Sequence, residues 1–121
     1  MSNAVNWFEI PAADFDRAAH FYDTILDASL HRELFGGIQH AIFSSAREGA
    51  GGAIIYNPEV APSSSGTVVY LNAAGKLDAV ISRVEKAGGK VLMPSTHIGD
   101  PGYIAIIQDT EGNKVGLHSP D

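Results

Sequence analysis

Two spacings of apolar residues alternate along the chain, and each change from one to the other marks an element. From Val5 to Ile10 side chains alternate, so Trp7 and Glu9 share one face and Phe8 and Ile10 the other. Pro11 closes that strand. After Asp14, apolar residues recur at steps of three and four: Phe15, Ala18, Ala19, Tyr22, Ile25 and Leu26. That is one stripe of a helix, and Asp14 is suited to accept the free amides of its first turn. The stripe is expected to cover the Phe8/Ile10 face. Strands follow at Leu30 to Phe35, Ile38 to Ser44 and Ala53 to Tyr56. Gly36-Gly37 and a glycine-rich turn from Ala46 to Gly52 separate them. Asn57 to Gly66, with two prolines and three consecutive serines, reads as a linker.

The pattern then returns. Thr67 to Asn72 is a strand, and Leu77, Val80, Ile81, Val84 and Ala87 form the stripe of a second helix. Gly88-Gly89 stops it, because glycine takes the left-handed C-terminal conformation at little cost. Strands are predicted at Lys90 to Met93, Tyr103 to Gln108 and Lys114 to His118. Pro94 to Gly102 reads as a loop, and Asp109 to Asn113 as a tight turn with positive φ at Gly112. Each half is β-α-β-β-β, which predicts an α+β chain built from one supersecondary unit used twice. The first unit spans about 4–58, the linker 59–65 and the second unit 66–119.

Composition narrows the function. A length of 121 residues suits one domain with a real core. A net charge of −6 argues against nucleic acid and anionic membranes as partners. The absence of cysteine excludes disulfides, thiol nucleophiles and thiolate metal sites. No apolar run approaches the ~20 residues of a membrane span, and Met-Ser-Asn-Ala lacks the regions of a signal peptide. A cytoplasmic protein is expected.

Two stretches carry a family resemblance. One is the strand followed by Asp14-Phe-Asp-Arg-Ala-Ala-His-Phe-Tyr22; the other is Asp109-Thr-Glu-Gly-Asn-Lys-Val-Gly-Leu117. With the repeated βαβββ unit they resemble the vicinal oxygen chelate superfamily, which includes glyoxalase I, extradiol dioxygenases, and fosfomycin- and bleomycin-resistance proteins. The resemblance implies curved mixed sheets around a cavity, helices outside, and commonly a homodimer. It also implies where metal ligands would stand. A histidine seven residues before the capping aspartate corresponds to Trp7. A glutamate after the glycine-asparagine turn corresponds to Gly116, and the matching position of the second unit falls near Val68. None of these side chains donates to a divalent cation. No metal is expected at the usual position and no cofactor is implied; a divalent metal elsewhere stays open.

The alternation rule places Trp7, Glu9, Tyr70, Asn72 and His118 on the face away from the helices. Trp7 is either a plug where a metal would sit or an aromatic wall for a ligand. Glu9, ~6.6 Å further along its strand, is a solvated acid at the cavity mouth, a general base, a ligand anchor or a displaced metal ligand. His118 stands two residues beyond Gly116, from where it could approach Glu9 as an acid/base pair; the competing reading is a residue near a chain end, where chains often fray. Tyr70 and Asn72 read as groups that orient a polar ligand or as cross-strand pairs. Of Gln39 and His40 only one can face inward, and His40 is expected to.

Three other histidines weigh less. His20 reads as a surface residue and His31 has no assigned role. His97 lies in a loop that is either a lid with glycine hinges or an ordinary connection. Arg47 to Gly52 is not a phosphate loop, since it lacks the lysine-serine ending. No Gly-x-Ser-x-Gly elbow is present.

Two functions follow: a glyoxalase-like protein, of lyase or isomerase type if an enzyme, or a non-catalytic protein that sequesters a small ligand.

Overall fold

The computed structural model describes residues 4–43 and 50–121. Ten elements follow in order: β1 Trp7–Pro11, α1 Phe15–Leu26, β2 His31–Phe35, β3 Ile38–Ile42, β4 Gly51–Tyr56, β5 Tyr70–Asn72, α2 Leu77–Val84, β6 Lys90–His97, β7 Tyr103–Gln108 and β8 Lys114–Ser119. The expected β-α-β-β-β order is therefore seen twice. The strands form two four-stranded sheets with the same internal order, β1-β4-β3-β2 and β5-β8-β7-β6. In each, the first strand of the unit pairs in parallel with its last, and the other pairings are antiparallel.

Both helices cover one face of the sheets. Phe15, Ala18, Ala19, Tyr22 and Ile25 of α1 and Leu77, Val80 and Val84 of α2 are buried. They share one core with Ile10, Ile54, Leu71, Ile107 and Leu117 from the strands. Each large apolar side chain so buried contributes about 1.5–3 kcal/mol. The expected stripe of α1 is thus the packed one, with Phe21 added: its ring meets Tyr22 edge-on at 4.9 Å. Asp14 caps α1, accepting from the Arg17 N–H at 3.1 Å.

The two units are tied by the very stretches that carried the resemblance. Glu111 accepts the Ala13 and Asp14 N–H groups at 2.9 and 2.8 Å and receives Arg17 Nε at 2.8 Å. Tyr22 donates its hydroxyl to Asp109 at 2.8 Å, and Asn113 Nδ2 donates to the Pro11 carbonyl at 2.7 Å. The hairpin of the second unit thereby supplies acceptors and a donor to the start of the first.

Several boundaries differ from expectation. β6 runs to His97 instead of ending at Met93, so the connection begins at Ile98 rather than Pro94. It is an edge strand with register shifts between Val91 and Met93 and between Met93 and Thr96. An edge with bulges tolerates Pro94, because no neighbour needs its missing N–H. Pro11 is likewise inside β1, another edge strand, rather than beyond it. β5 keeps only Tyr70–Asn72 of the predicted Thr67 to Asn72. α2 ends at Val84 and its last apolar position, Ala87, lies in the closing turn, where Gly88 adopts φ +103°. β4 begins at Gly51, two residues before the expected start. Residues 46–49 of the predicted glycine-rich turn and Ser44 of the predicted third strand lie outside the described residues.

Candidate functional site

The site is built from the faces that the helices leave open. In the first sheet, Trp7 and Glu9 are exposed while Phe8 and Ile10 turn toward the core. Phe8 packs where Gly52, its register partner, would carry a Cβ. In the second sheet, Tyr70 and Asn72 are exposed while Leu71 is buried. Cross-strand partners share a face, so the pairs Tyr70–Gly116, Asn72–His118 and Ile104–His118 place these residues together. Tyr70, Asn72, Ile98, Ile104 and His118 line one cavity of about 440 Å³. It offers an apolar floor, a phenol, an amide and an imidazole.

Within this cavity the polar groups are already oriented. Asn72 Oδ1 accepts the Ala74 N–H at 2.9 Å, which holds the side-chain amide in place. His118 Nε2 lies 2.6 Å from the Pro101 carbonyl, so it is the protonated nitrogen and donates there. The 98–102 connection therefore leans on the site: Ile98 lines it and Pro101 fixes its imidazole. Sequence reasoning missed Ile98, Ile104 and Pro101. Ile104 was legible in principle, since alternation from Ala105 and Ile107 puts it on the open face. The 98–102 contacts carry no periodic signal.

Trp7, Glu9 and His40 gather separately on the first sheet. Trp7 Nε1 donates to Glu9 Oε2 at 3.2 Å, and His40 Nε2 lies 3.9 Å from the same oxygen. Of the pair Gln39 and His40, the histidine is the one directed to this face; its side chain is 12% exposed. Trp7 remains 47% exposed and lines none of the cavities described here. Glu9 borders a cavity of about 190 Å³ at the seam of the two units, with Ser63, Ser65, Thr67, Asn113 and Lys114. The expected approach of Glu9 to His118 is not seen: they belong to different sheets and different cavities.

Buried titratable groups at the seam are held by specific partners. Burial pushes the Tyr22 hydroxyl well above its ordinary range, and the neighbouring Asp109 carboxylate adds to it. It stays a donor at any physiological pH. Burial also pushes the Glu111 carboxyl up, but the bonds from Arg17, the Asp14 N–H and Thr110 outweigh it and hold the group below the usual carboxylate range. Asp23 follows the same balance, with Arg32 and the Leu30 N–H as its partners. These groups are structural.

A profile of the glyoxalase/bleomycin resistance protein/dioxygenase superfamily matches residues 4–117. The chain belongs to that superfamily. Its curated relatives include CFP32 of Mycobacterium bovis and CFP32 of Mycobacterium tuberculosis, whose name carries the word glyoxylase. Each is 30% identical over 115 residues, covering 93% of this chain and 44% of the relative. The chain thus spans less than half the length of these relatives. Among solved structures, a glyoxylase/bleomycin resistance protein/dioxygenase domain from Frankia sp. superimposes with a TM-score of 0.74, covering 100% of both chains at 17% identity. A glyoxalase/bleomycin resistance protein from Albidiferax ferrireducens gives 0.73 at 18% identity, covering 97% of this chain and 99% of that one. A glyoxalase I mutant from Zea mays gives 0.64 at 18% identity, covering 95% of this chain and 46% of the plant chain. These likenesses show the fold.

Superfamily membership raises the question of a metal. At the positions the resemblance assigns to ligands stand Trp7, Gly116 and Val68. The Trp7 indole is a donor and is directed at Glu9. Gly116 has no side chain, and the Tyr70 ring fills the space where one would begin. Val68 is an alkyl group. This set does not fit a divalent cation. Among the described residues no three His, Asp or Glu side chains are placed to hold one.

Proposed function

We propose that this glyoxalase-like protein binds a small molecule on the open face of its second sheet without transforming it. The observation that carries the reading is the placement of Tyr70 over Gly116 beside Asn72 and His118. An aromatic ring stands where the superfamily's carboxylate would be, and the polar groups around it are hydrogen-bonded to backbone rather than poised as acid and base. An apolar wall with a few convergent polar groups is the usual make-up of a binding pocket. No metal is required at the superfamily's usual position.

The protein pairs as a homodimer in this reading. β1, β2, β5 and β6 end their sheets, and exposed edges favour covering by another chain. Each protomer contributes one chain divided at 59–65 into two units. Light scattering that reports only monomer at micromolar concentration contradicts the dimer.

A second reading is a lyase- or isomerase-type enzyme. The approach of His40 to Glu9 favours it, since a carboxylate and an imidazole on one open face can move a proton. Calorimetric titration of small aromatic fragments separates the two. Binding weakened at least fivefold by Asn72→Ala and His118→Ala, with melting temperature held and the fragment recovered unchanged, supports the binder. Conversion of the fragment, abolished by Glu9→Gln, supports the enzyme instead.

A further inference from the structure

The open face of the first sheet holds a group of side chains that the ligand face does not use. Glu9 stands beside Ala53 in the register of β1 and β4, and His40 beside Ile55 in that of β3 and β4. The two side chains lean over β4 from its two sides and end 3.9 Å apart, above an Ala53 and an Ile55 that are both buried. Glu33 is the cross-strand partner of His40 on β2, and its carboxylate is turned to His31 Nε2 at 3.0 Å.

The tautomer of His40 decides what the gap is. Nδ1 lies 2.8 Å from the Ile38 carbonyl, which can only accept, so Nδ1 carries the proton. In the neutral ring Nε2 is then a bare lone pair. Glu9 Oε2 is also an acceptor, already holding the Trp7 N–H. With the ring neutral, two acceptors stand close together with no donor between them. An imidazole whose other nitrogen donates to a backbone carbonyl is the usual form of a metal-bound histidine. Donors ~2.1 Å from a tetrahedral ion lie ~3.4 Å apart, so a small side-chain rotation closes the observed separation. The charge around the gap also suits a cation. The strand positions of this face carry Glu9, Glu33, His31 and His40, with no lysine or arginine among them. Lys114 of the other sheet and Glu9 both border the seam cavity.

We propose that His40 Nε2 and Glu9 Oε2 bind a divalent transition-metal ion of the copper, nickel and zinc class. Glu33 stays with His31, and water fills the remaining positions. The imidazole selects these ions over magnesium and calcium, which take oxygen donors. This site differs from the superfamily positions at Trp7, Gly116 and Val68, and it does not depend on what the second sheet binds.

Trp7, the single tryptophan of the chain, reports on the site because its indole is bonded to Glu9. Metal-free protein is titrated with nickel chloride at about pH 7.5 while its fluorescence is followed, and zinc chloride is titrated by calorimetry. The expected result is saturable quenching, weakened at least tenfold by His40→Gln and by Glu9→Gln and little changed by His31→Gln. If His40→Gln does not keep the wild-type circular dichroism, Glu9→Gln with the zinc calorimetry decides. Unsaturable quenching, or zinc binding that both substitutions leave unchanged, overturns the proposal.

Discussion

The ring of Tyr70 occupies the space in which Gly116 would carry a Cβ; an atom built there falls inside van der Waals contact with three ring atoms. The two residues are register partners in the parallel pair β5 and β8. Their packing joins fold and function. It secures the short strand β5 to its neighbour, and it sets an aromatic ring beside Asn72 and His118 on the open face.

Gly116→Ala is therefore expected to displace Tyr70 and cost about 1–3 kcal/mol, the range for overpacking a filled site. In a Tyr70→Ala background the same change costs much less, because the ring is gone. Urea denaturation of the four proteins measures the coupling. Equal costs in both backgrounds would show that the ring and the glycine do not depend on each other.

A second prediction concerns acid. Glu111 has its carboxyl held below the usual range in the folded protein, while its side chain is fully buried against Ala13, Asp14 and Arg17. A depressed folded value contributes stability that is fully present above the unfolded value and is lost as pH falls through the folded one. Stability thus declines below about pH 4–5, where ordinary carboxyls take up protons. Glu111→Gln lowers the melting temperature at pH 7 and flattens that decline; the part that persists includes Asp23, whose carboxyl is also held low. Melting curves from pH 7 to pH 3 check this. Wild type and Glu111→Gln losing stability in parallel would remove Glu111 from the account.

Much of the fold was legible because burial forces a period on the sequence. Phe15, Tyr22 and Ile25 mark α1, and Leu77, Val80 and Val84 mark α2, since each helix hides one stripe. The face of Trp7 and Glu9 and that of Tyr70 and Asn72 followed from alternation alone. What alternation cannot supply is the distance between faces on different sheets, which the docking of the 109–113 turn on the start of α1 decides. Alternation alone therefore leaves open that Glu9 and His118 belong to different sheets and border different cavities. Edge strands were the other gap. Pro94 reads as a breaker in sequence, yet β6 carries it within a bulged edge where no partner is lost. Ile98 and Pro101 reach the site through an irregular connection whose contacts leave no periodic trace.

Binding on the second sheet without the superfamily's metal is the claim on which the function rests. The direct measurement is a titration of a small-fragment library into isotope-labelled protein in the presence of a chelator, read by two-dimensional amide and side-chain spectra. The account predicts a saturable binder that shifts Tyr70, Asn72, Ile98, Ile104 and His118 and is recovered unaltered. Binders that shift only residues outside this face, that bind only once metal is restored, or that are converted during the titration would contradict it.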